Sequence, residues 1–431
     1  MTTRQCDVSR RNILSAAFGA SVCGAEIALA LSASSLARSQ GLVSRELGWG
    51  GLGFSVAAAQ LRSSFPVTLD SLEKIGGLKT VVAELVGALQ SAYLGGKGQV
   101  KDIFKALDTG ESLIFCVAFD FEQLIATPGV GEGAFDDVES FLYAQAQVVY
   151  IDPGSGSGGG DFRILYSFPF RVQYNFRARP GDNDDRALKF SKTFVENERS
   201  LSSVFRTNVA SKSFREKSFP SAIRVTNVSF TPEFLSSLDF LKIRDRFPAE
   251  FVANSFSTTL AEIGGLSVIP FRGNQLMGET IASRFKQESA VFKLASTMGG
   301  KENLDFAIDI EMFRMVRKIS GENQASVRIA RGMSCFLNLL DVRGDSSLAK
   351  VKLSFISDNV IDRLSFTKSL AAFDLRYMVQ IVLAMFEDFV ALVIRRDVSK
   401  MERLGLKSGD STKDIEEFRR VFSRCVYSDK S

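Results

Sequence analysis

The sequence predicts an α+β protein, with antiparallel or mixed sheets covered by helices in two adjoining units that follow a helical N-terminal region. Two patterns lead to this class. Residues 304–316 alternate apolar and acidic side chains, which indicates a strand with one buried and one wet face. Residues 67–94 carry apolar side chains at helical spacing. The composition, 45% hydrophobic and 24% charged in 431 residues, is that of a globular chain.

The composition also excludes several kinds of chemistry. The chain has no His, which excludes Ser-His-Asp and Cys-His nucleophile activation and His-ligated metals. The net charge of +4 is small for this length and predicts no nucleic-acid partner. The 37 Phe are most simply core residues. We predict no cofactor and no metal.

The N-terminus has the pattern of an export signal. Arg10 and Arg11 form a twin-arginine pair, and a stretch of small apolar residues follows at 13–36. The stretch ends in a Ser-Leu-Ala sequence that predicts cleavage after Ala37. A positive segment held at the membrane and an apolar segment that enters it are what export requires, so we expect a periplasmic protein.

Two alternatives to this signal stay open. Glu26 lies inside the apolar stretch, where a carboxylate is costly. A lipoprotein signal would end earlier, at Cys23, but Val precedes that Cys where a small residue is expected. An ordinary amphipathic helix at the start of a cytoplasmic protein is the second alternative.

Beyond the signal, the sequence predicts no transmembrane span. The most apolar stretch, residues 378–394, contains Gln380, Glu387 and Asp388. Charged side chains of this kind are rare in membrane spans, so this stretch is predicted to be a buried helix.

The predicted units are bounded by changes in pattern. They are a signal at 1–37, a Gly-rich leader and helical region at 38–110, a first α+β unit at 111–264, a second at 265–395 that ends in a long helix, and a charged tail at 396–431.

In the first half, Gly-rich residues 48–53 are interpreted as a flexible leader. The helical pattern of 67–94 breaks at Gly76-Gly77, which predicts two helices. Further helices are predicted at 100–107, 134–145 and 184–209, and strands at 113–121, 148–151 and 162–176, with a Gly-rich hairpin loop at 154–160.

In the second half, Thr231 followed by Pro232 has the pattern of a helix N-cap, and Pro248 marks another helix start. Strands are predicted at 221–230, 266–271, 304–316, 326–340 and 348–356, and helices at 277–285, 370–395 and 414–421.

One glycine motif has the layout of a nucleotide site. Gly129, Gly131 and Ala134 match G-x-G-x-x-A between a predicted strand and a predicted helix, and Asp152 ends the next strand. In a dinucleotide-binding unit the helix N-terminus holds the pyrophosphate and the acid holds a ribose hydroxyl. Nearby carboxylates, including Glu132, and a long loop before Gly129 depart from this pattern, so a plain surface loop is the favoured interpretation.

Two Ser-x-x-Lys matches have the spacing of serine acyl enzymes. They are Ser71 with Lys74 and Ser365 with Lys368, and neither has the companion motifs of those enzymes. No catalytic residue is therefore predicted.

Two carboxylate groups could act as acid pairs or bind a hard cation. They are Asp120 with Glu122, and Asp305 with Asp309 and Glu311. Alternating carboxylates on a strand more often form the solvated face of a sheet, and this is the favoured interpretation.

The predicted mature chain keeps Cys116, Cys335 and Cys425. Three cysteines allow at most one disulfide. Cys116 and Cys335 lie in apolar runs, so we expect them to be buried free thiols.

Residues 265–355 resemble one known group of envelope proteins. The order is a strand ending in Pro270-Phe271, a helix through Gly278 and a later strand ending in Asp341-Val342. This resembles the TolB N-terminal and curli-secretion-component (CsgG-type) families over about a fifth of the chain. The resemblance implies an assembly or transport role in the envelope and identifies no functional residue.

The sequence therefore favours an exported, non-enzymatic binding or assembly protein of the bacterial cell envelope, with a protein or envelope partner. The alternatives are an enzyme that uses carboxylates or a Ser-Lys pair, a nucleotide binder at Gly129 to Ala134, and a cytoplasmic structural protein.

Overall fold

The structure is a computed structural model. It describes residues 46–56, 60–94, 99–102, 112–129, 134–152, 161–195, 199–212, 221–269, 271, 304–344, 346–406 and 412–426. The predicted export signal with Arg10, Arg11 and Ala37, the loop residue Gly131 and the predicted helix at 277–285 lie outside the described residues. From Glu46 onward the chain belongs to one compact unit.

Sheet 1 has five strands in the order β2-β1-β3-β4-β5. We call this sheet and its helices repeat 1 (residues 46–210). The strands are β1 Glu46–Phe54, β2 Lys101–Asp102, β3 Ser112–Thr127, β4 Asp136–Asp152 and β5 Asp161–Ala178. The helices are α1 Leu61–Ser64, α2 Pro66–Lys74, α3 Leu78–Leu94, α4 Asn183–Phe190, α5 Lys192–Val195 and α6 Leu201–Phe205.

Sheet 2 also has five strands, in the order β10-β9-β8-β6-β7. We call this sheet and its helices repeat 2 (residues 223–425). The strands are β6 Ile223–Phe230, β7 Val268–Ile269, β8 Phe306–Glu322, β9 Ser326–Asp341 and β10 Ser346–Asp362. The helices are α7 Pro232–Leu241, α8 Ala249–Glu262, α9 Arg363–Arg395, α10 Lys400–Arg403 and α11 Thr412–Cys425.

The two sheets follow the same plan. In each, a first strand runs parallel to a two-residue strand and to a long strand, and two further antiparallel strands complete the sheet. The register irregularities also coincide: the shift in β1 after Trp49 matches that in β6 after Val225, and the shift in β3 after Phe119 matches that in β8 after Met312.

The turn after the first strand repeats the same hydrogen bonds. The Ser55 amide donates to the Phe119 carbonyl at 2.8 Å, and its hydroxyl donates to the Asp120 carbonyl at 3.1 Å. In repeat 2 the Thr231 amide donates to the Met312 carbonyl at 3.0 Å, and the Thr231 hydroxyl donates to the Phe313 carbonyl at 3.1 Å. The chain therefore contains a structural duplication in which Asp120 corresponds to Phe313.

The repeats stack as alternating helix and sheet layers. Helices α3, α5 and α6 pack on one face of sheet 1, where Phe119 contacts Phe194. Helices α8 and α9 lie between the other face of sheet 1 and sheet 2, and Tyr143 contacts Phe251 there. Helix α8 is consequently buried almost all round. On the opposite face of sheet 2, Asp309 and Glu311 are half-exposed and Lys350 and Lys352 are exposed, and we call it the open face.

Helix α9 contains the one candidate membrane span of the described residues. The segment Ser369–Arg395 is long and apolar enough to cross a membrane, but 67% of its most apolar window is buried inside the protein. Asp388 pairs with Lys400 and Arg403, and Glu387 pairs with Arg171. This packing agrees with the predicted buried helix.

Several predicted elements are confirmed. Helices α2 and α3 are separated at Gly76-Gly77, the hydroxyl of Thr231 caps α7 by accepting from the Phe234 amide, and the long strands and the long helix of the second half are present. The mixed sheets with covering helices confirm the α+β class.

Two interpretations of the first half are wrong. The Gly-rich segment 48–53 is not a flexible leader but part of β1, because Leu47, Trp49 and Leu52 bury their side chains in the core. The predicted helix at 134–145 is the strand β4. Both faces of β4 are buried, so its apolar residues show no strand alternation from which the strand could be recognised.

Other segments differ in detail. The predicted helix at 184–209 is broken into α4, α5, α6 and a π-helical turn. Lys101–Asp102 is a short strand rather than a helix start. The charged tail folds back, because α11 buries Ile415, Phe418 and Phe422 against the core. The boundary near residue 265 falls inside the span of sheet 2, since β6 and β7 share that sheet.

Candidate functional site

The strongest candidate site is a cleft between the two repeats. It holds about 300 Å³ and lies where β1 ends, beside residues 120–122 in the middle of β3. Repeat 1 contributes Ser55, Val56, Ser63, Ser64, Asp120, Phe121 and Glu122, and repeat 2 contributes Pro248, Glu250, Asn254 and Phe271.

Asp120 occupies the irregular position of β3, between the paired residues Phe119 and Phe121. A bulge of this kind re-aims a side chain out of the regular alternation. Ser55, at the end of β1, is the hydrogen-bonding neighbour of Asp120. Burial raises the pKa of Asp120 to about 7, and the bond from Ser55 opposes that shift.

Glu122 forms the floor of the cleft and is also structural. Its carboxylate accepts hydrogen bonds from the amides of Val67 at 3.1 Å and Thr68 at 2.8 Å, at the start of α2. Burial raises the pKa of Glu122, and the bonds from Thr68 and Val67 oppose that rise. Glu122 therefore satisfies the free amides of a helix N-terminus and fixes one wall of the cleft.

Asp120 and Glu122 have no basic partner within the part of the chain that the structure describes. No Lys or Arg there contributes to the pKa shifts of Asp120 or Glu122 or forms an ion pair with either. With its pKa raised to about 7, the Asp120 carboxyl is protonated at lower pH, and a bound cation would favour its ionised form. Phe121 and Phe271 add apolar wall beside it. The arrangement suits a ligand that joins a positive group to a small apolar body.

The carboxyl of Asp120 is not needed to build the bulge. Phe313 stands at the equivalent position of β8, and Thr231 makes the same two hydrogen bonds there as Ser55. The carboxyl is therefore a property of repeat 1 alone, at the place where repeat 2 closes over it.

The nucleotide interpretation does not agree with the topology. Gly129 and Ala134 lie at the turn between β3 and β4, and a strand rather than a helix follows them. Asp152 is at the far end of β4, which is about 50 Å away at the rise of an extended strand. Because β3 and β4 are consecutive antiparallel strands, the strand-helix-strand order of a dinucleotide-binding unit is not formed here.

Of the two Ser-x-x-Lys matches, Ser71 with Lys74 is not a catalytic pair, and Ser365 with Lys368 stays untested. The Ser71 hydroxyl is buried and donates to the Val67 carbonyl at 2.5 Å. Lys74 forms an ion pair with Asp184 at 2.9 Å, which raises its pKa and removes it as a base. The Asp362 carboxylate caps α9 by accepting from the Ser365 amide at 2.8 Å. The side chain of Lys368 lies outside the described residues.

The second carboxylate group serves the fold. Asp305 accepts from the Ala222 amide at 3.1 Å, and Asp309 accepts from the Thr226 hydroxyl at 2.8 Å. Asp309 and Glu311 are half-exposed on the open face of sheet 2, as the solvated-face interpretation expects. Among the described residues, no group of three or more acidic or Cys side chains could hold a metal ion.

For Asp120 and Glu122 the solvated-face interpretation is wrong, because α2 and repeat 2 cover this part of β3. The contributions of Glu250, Asn254 and Phe271 carried no signal in the sequence, since they depend on how the repeats meet. Cys116, Cys335 and Cys425 are buried and form no disulfide, as expected for the first two.

Comparison with known proteins gives a likeness of structure alone. No family model matches the chain, and no curated protein matches it. It is similar to lipoprotein GNA1162 of Neisseria meningitidis, with 16% identity, TM-score 0.19 and coverage of 37% of this chain and 99% of that one. It is similar to protein CT253 of Chlamydia trachomatis, with 13% identity, TM-score 0.22 and coverage of 40% and 95%. A homologue of the neuraminyllactose-binding hemagglutinin of Helicobacter pylori has 11% identity, TM-score 0.20 and coverage of 49% and 94%. At these TM-scores the likenesses carry no argument about function.

Proposed function

We propose that this chain is an exported, non-enzymatic binding protein of the bacterial cell envelope, and that the cleft between its repeats holds a small cationic ligand. The observation that carries the ligand class is the Asp120 carboxyl, which is half-buried in the wall of a cavity and has no basic partner among the described residues. The export part rests on Arg10, Arg11 and Ala37 of the sequence. The proposed envelope role also draws on the resemblance of residues 265–355 to CsgG-type and TolB N-terminal proteins.

Isothermal titration with 1-butylamine and its neutral isostere 1-butanol tests the ligand class. The amine is expected to bind the wild-type chain, and its affinity is expected to rise between pH 6 and pH 8 as Asp120 ionises. Asp120→Asn is expected to weaken amine binding about tenfold or more, since a charge-assisted contact is worth about 1.5–3 kcal/mol.

Asp309→Asn is the matched control, because Asp309 is a carboxylate of the equivalent strand on the open face of sheet 2. It is expected to leave amine binding unchanged. Equal binding of amine and alcohol, or equal loss in both variants, would contradict the proposal.

The address is tested separately, by N-terminal sequencing of the protein from each fraction of its native cell. A mature start just after Ala37 in the periplasmic fraction supports export. An intact Met1 in the cytosol contradicts it and leaves the ligand proposal to the titration.

A further inference from the structure

Two hydroxyl groups in the lining of the cleft have already used their hydrogens. The Ser55 hydroxyl donates to the Asp120 carbonyl at 3.1 Å, and the Ser63 hydroxyl donates to the Gln60 carbonyl at 2.9 Å. A hydroxyl has one hydrogen and two lone pairs, so each of these groups can still accept a hydrogen bond but can no longer donate one. Both therefore act as acceptors towards a ligand.

The carboxyl groups of the lining add further acceptors. They belong to Asp120, Glu122 and Glu250. At pH 8, above the pKa of about 7 of Asp120, the Asp120 carboxylate accepts hydrogen bonds and donates none. Among the described side chains that line the cleft, Ser64 and Asn254 are the ones that keep a hydrogen to donate. The lining is consequently rich in acceptors and poor in donors.

A carboxylate on the ligand would find little to bind in this lining. No Lys or Arg is among the described residues that line the cleft, and Arg224, close by, donates to the Phe271 carbonyl at 2.6 Å. Pro248 and Glu250 belong to the start of α8, where the backbone amides of a first helical turn can hold an anion. However, Glu250 brings its own carboxylate to that turn, which repels a second one.

A quaternary ammonium ion would also fit this lining poorly. Such an ion has no N–H group and is held by the faces of aromatic rings. The Phe121 ring already packs against Tyr143, with the ring centroids 5.9 Å apart. Ser55 is only 6% exposed, so a ligand without donors would cover its hydroxyl oxygen and leave that acceptor without a hydrogen bond.

We propose that the ligand of the cleft is a primary amine without a carboxylate, and that the site selects such amines against amino acids and against quaternary ammonium ions. This inference rests on the proposed function and specifies which cation the site admits. The N–H groups of the ammonium would donate to Asp120 and Ser55, and the apolar body would lie against Phe121 and Phe271.

Isothermal titration of the full chain at pH 8 with four compounds tests the selection. They are 1-butylamine, butyltrimethylammonium, norvaline, which is 1-butylamine with a carboxylate on the carbon next to nitrogen, and norvalinol, which has a hydroxymethyl group in place of that carboxylate. 1-Butylamine and norvalinol are expected to bind. Butyltrimethylammonium and norvaline are expected to bind about tenfold or more weakly, and norvalinol shows that the added bulk is not the cause.

Ser55→Ala tests the contribution of the acceptors. It is expected to reduce the preference for 1-butylamine over butyltrimethylammonium about threefold, because one acceptor of N–H groups is lost. Ser71→Ala is the matched control, since the buried Ser71 hydroxyl also donates to a backbone carbonyl, that of Val67, but does not line the cleft. The control is expected to leave the preference unchanged, and circular dichroism checks that both variants fold.

The proposal is overturned if norvaline binds as tightly as norvalinol, if butyltrimethylammonium binds as tightly as 1-butylamine, or if both Ser variants change the preference equally. In these three cases 1-butylamine still binds, so the proposed function stands while the selection fails. If 1-butylamine does not bind the wild-type chain, the proposed function fails, and the selection fails with it.

Discussion

The two sheets share one backbone plan and differ in what covers them. Sheet 1 is a central layer with helices on both faces, whereas sheet 2 has one face open to solvent. The difference appears at equivalent positions of the covered and open faces: Cys116 corresponds to Asp309, Ala118 to Glu311, Ser167 to Lys350 and Pro169 to Lys352. Small or uncharged side chains admit the helix layer in repeat 1, and charged ones keep the equivalent face wet in repeat 2.

The open face is mixed rather than uniformly polar. The rings of Phe313 and Phe336 stack with their centroids 4.6 Å apart. The Lys350 ammonium lies 4.5 Å from the centroid of Phe336, and the Lys352 ammonium lies 5.1 Å from that of Phe313. The lysines shield the aromatic pair from water and from other chains. In this half of the face the apolar rings are therefore covered by charged side chains.

The covered face of sheet 1 is held by polar contacts. Tyr143 bonds to Ser255 at 2.9 Å, and the Arg171 amide donates to Glu262 at 2.9 Å. The Arg171 guanidinium pairs with Glu387 at 3.3 Å. Burial raises the pKa of Glu262 and Tyr143, and Arg171 opposes both shifts. The repeats are joined by a network in which each member depends on the others.

The sharpest test of the comparison exchanges one pair of equivalent residues. Ala118→Glu places a carboxylate in the layer between the sheets, where Ala118 is 2% exposed. We expect it to cost about 3–5 kcal/mol or to prevent folding, because the charge has no partner. Glu311→Ala, the reverse change in repeat 2, is expected to stay within about 0.5 kcal/mol. Urea unfolding measures both, and similar costs would break the comparison.

The next effect concerns the network. Arg171→Met removes the one cation that faces Glu262 and Glu387 from sheet 1 among the described residues. We expect a loss of about 1.5–3 kcal/mol, because the buried Tyr143 hydroxyl and the half-exposed Glu387 lose a charged hydrogen-bond partner. At the equivalent position of repeat 2, Ser354→Ala is expected to cost about 1 kcal/mol, for its bond to Ser334. A loss as small for Arg171→Met would show that the network does not hold the repeats together.

A smaller effect is expected at the irregularity of the first strands. A side chain at Gly50 would lie 2.3 Å from Cys116 Sγ and 2.9 Å from Ile114 Cγ2, so Gly50→Ala is expected to cost about 1–3 kcal/mol. Its equivalent in repeat 2 is Thr226, which has room to bond to Asp309 at 2.8 Å. Thr226→Ala should therefore cost less, and thermal unfolding of the two variants gives the order.

The effect of Asp120 is the smallest per pH unit, and it is spread over about three pH units. Its pKa in the folded chain, about 7, lies above the value of about 3.9 in an unfolded chain. Folding therefore favours the protonated carboxyl, and the stability it contributes is lost as the pH rises from about 4 to about 7, by at most about 1.4 kcal/mol per pH unit. Asp120→Asn should remove that slope. Parallel stability profiles of wild type and variant would refute the raised pKa.

One part of the site could be predicted from the sequence and another part could not. The spacing of Asp120 and Glu122 predicts two carboxylates on one face of a strand, and such a face is usually solvated. Their burial follows from α2 and from Pro248, Glu250 and Phe271, which are far away in the chain. The residues of β3 themselves carry no pattern that predicts the packing of these distant residues over it.

The sequence by itself determined the α+β class, the long strands of the second half, the cap at Thr231 and the break at Gly76-Gly77, because these depend on local periodicity and turn chemistry. Only the tertiary structure decided that β4 is a strand, that the two sheets are duplicates and that Asp120 is enclosed. A strand buried on both faces loses the alternation that identifies it, and a hydrogen-bond register can repeat under unrelated side chains. The burial of a carboxyl depends on the element that packs over it.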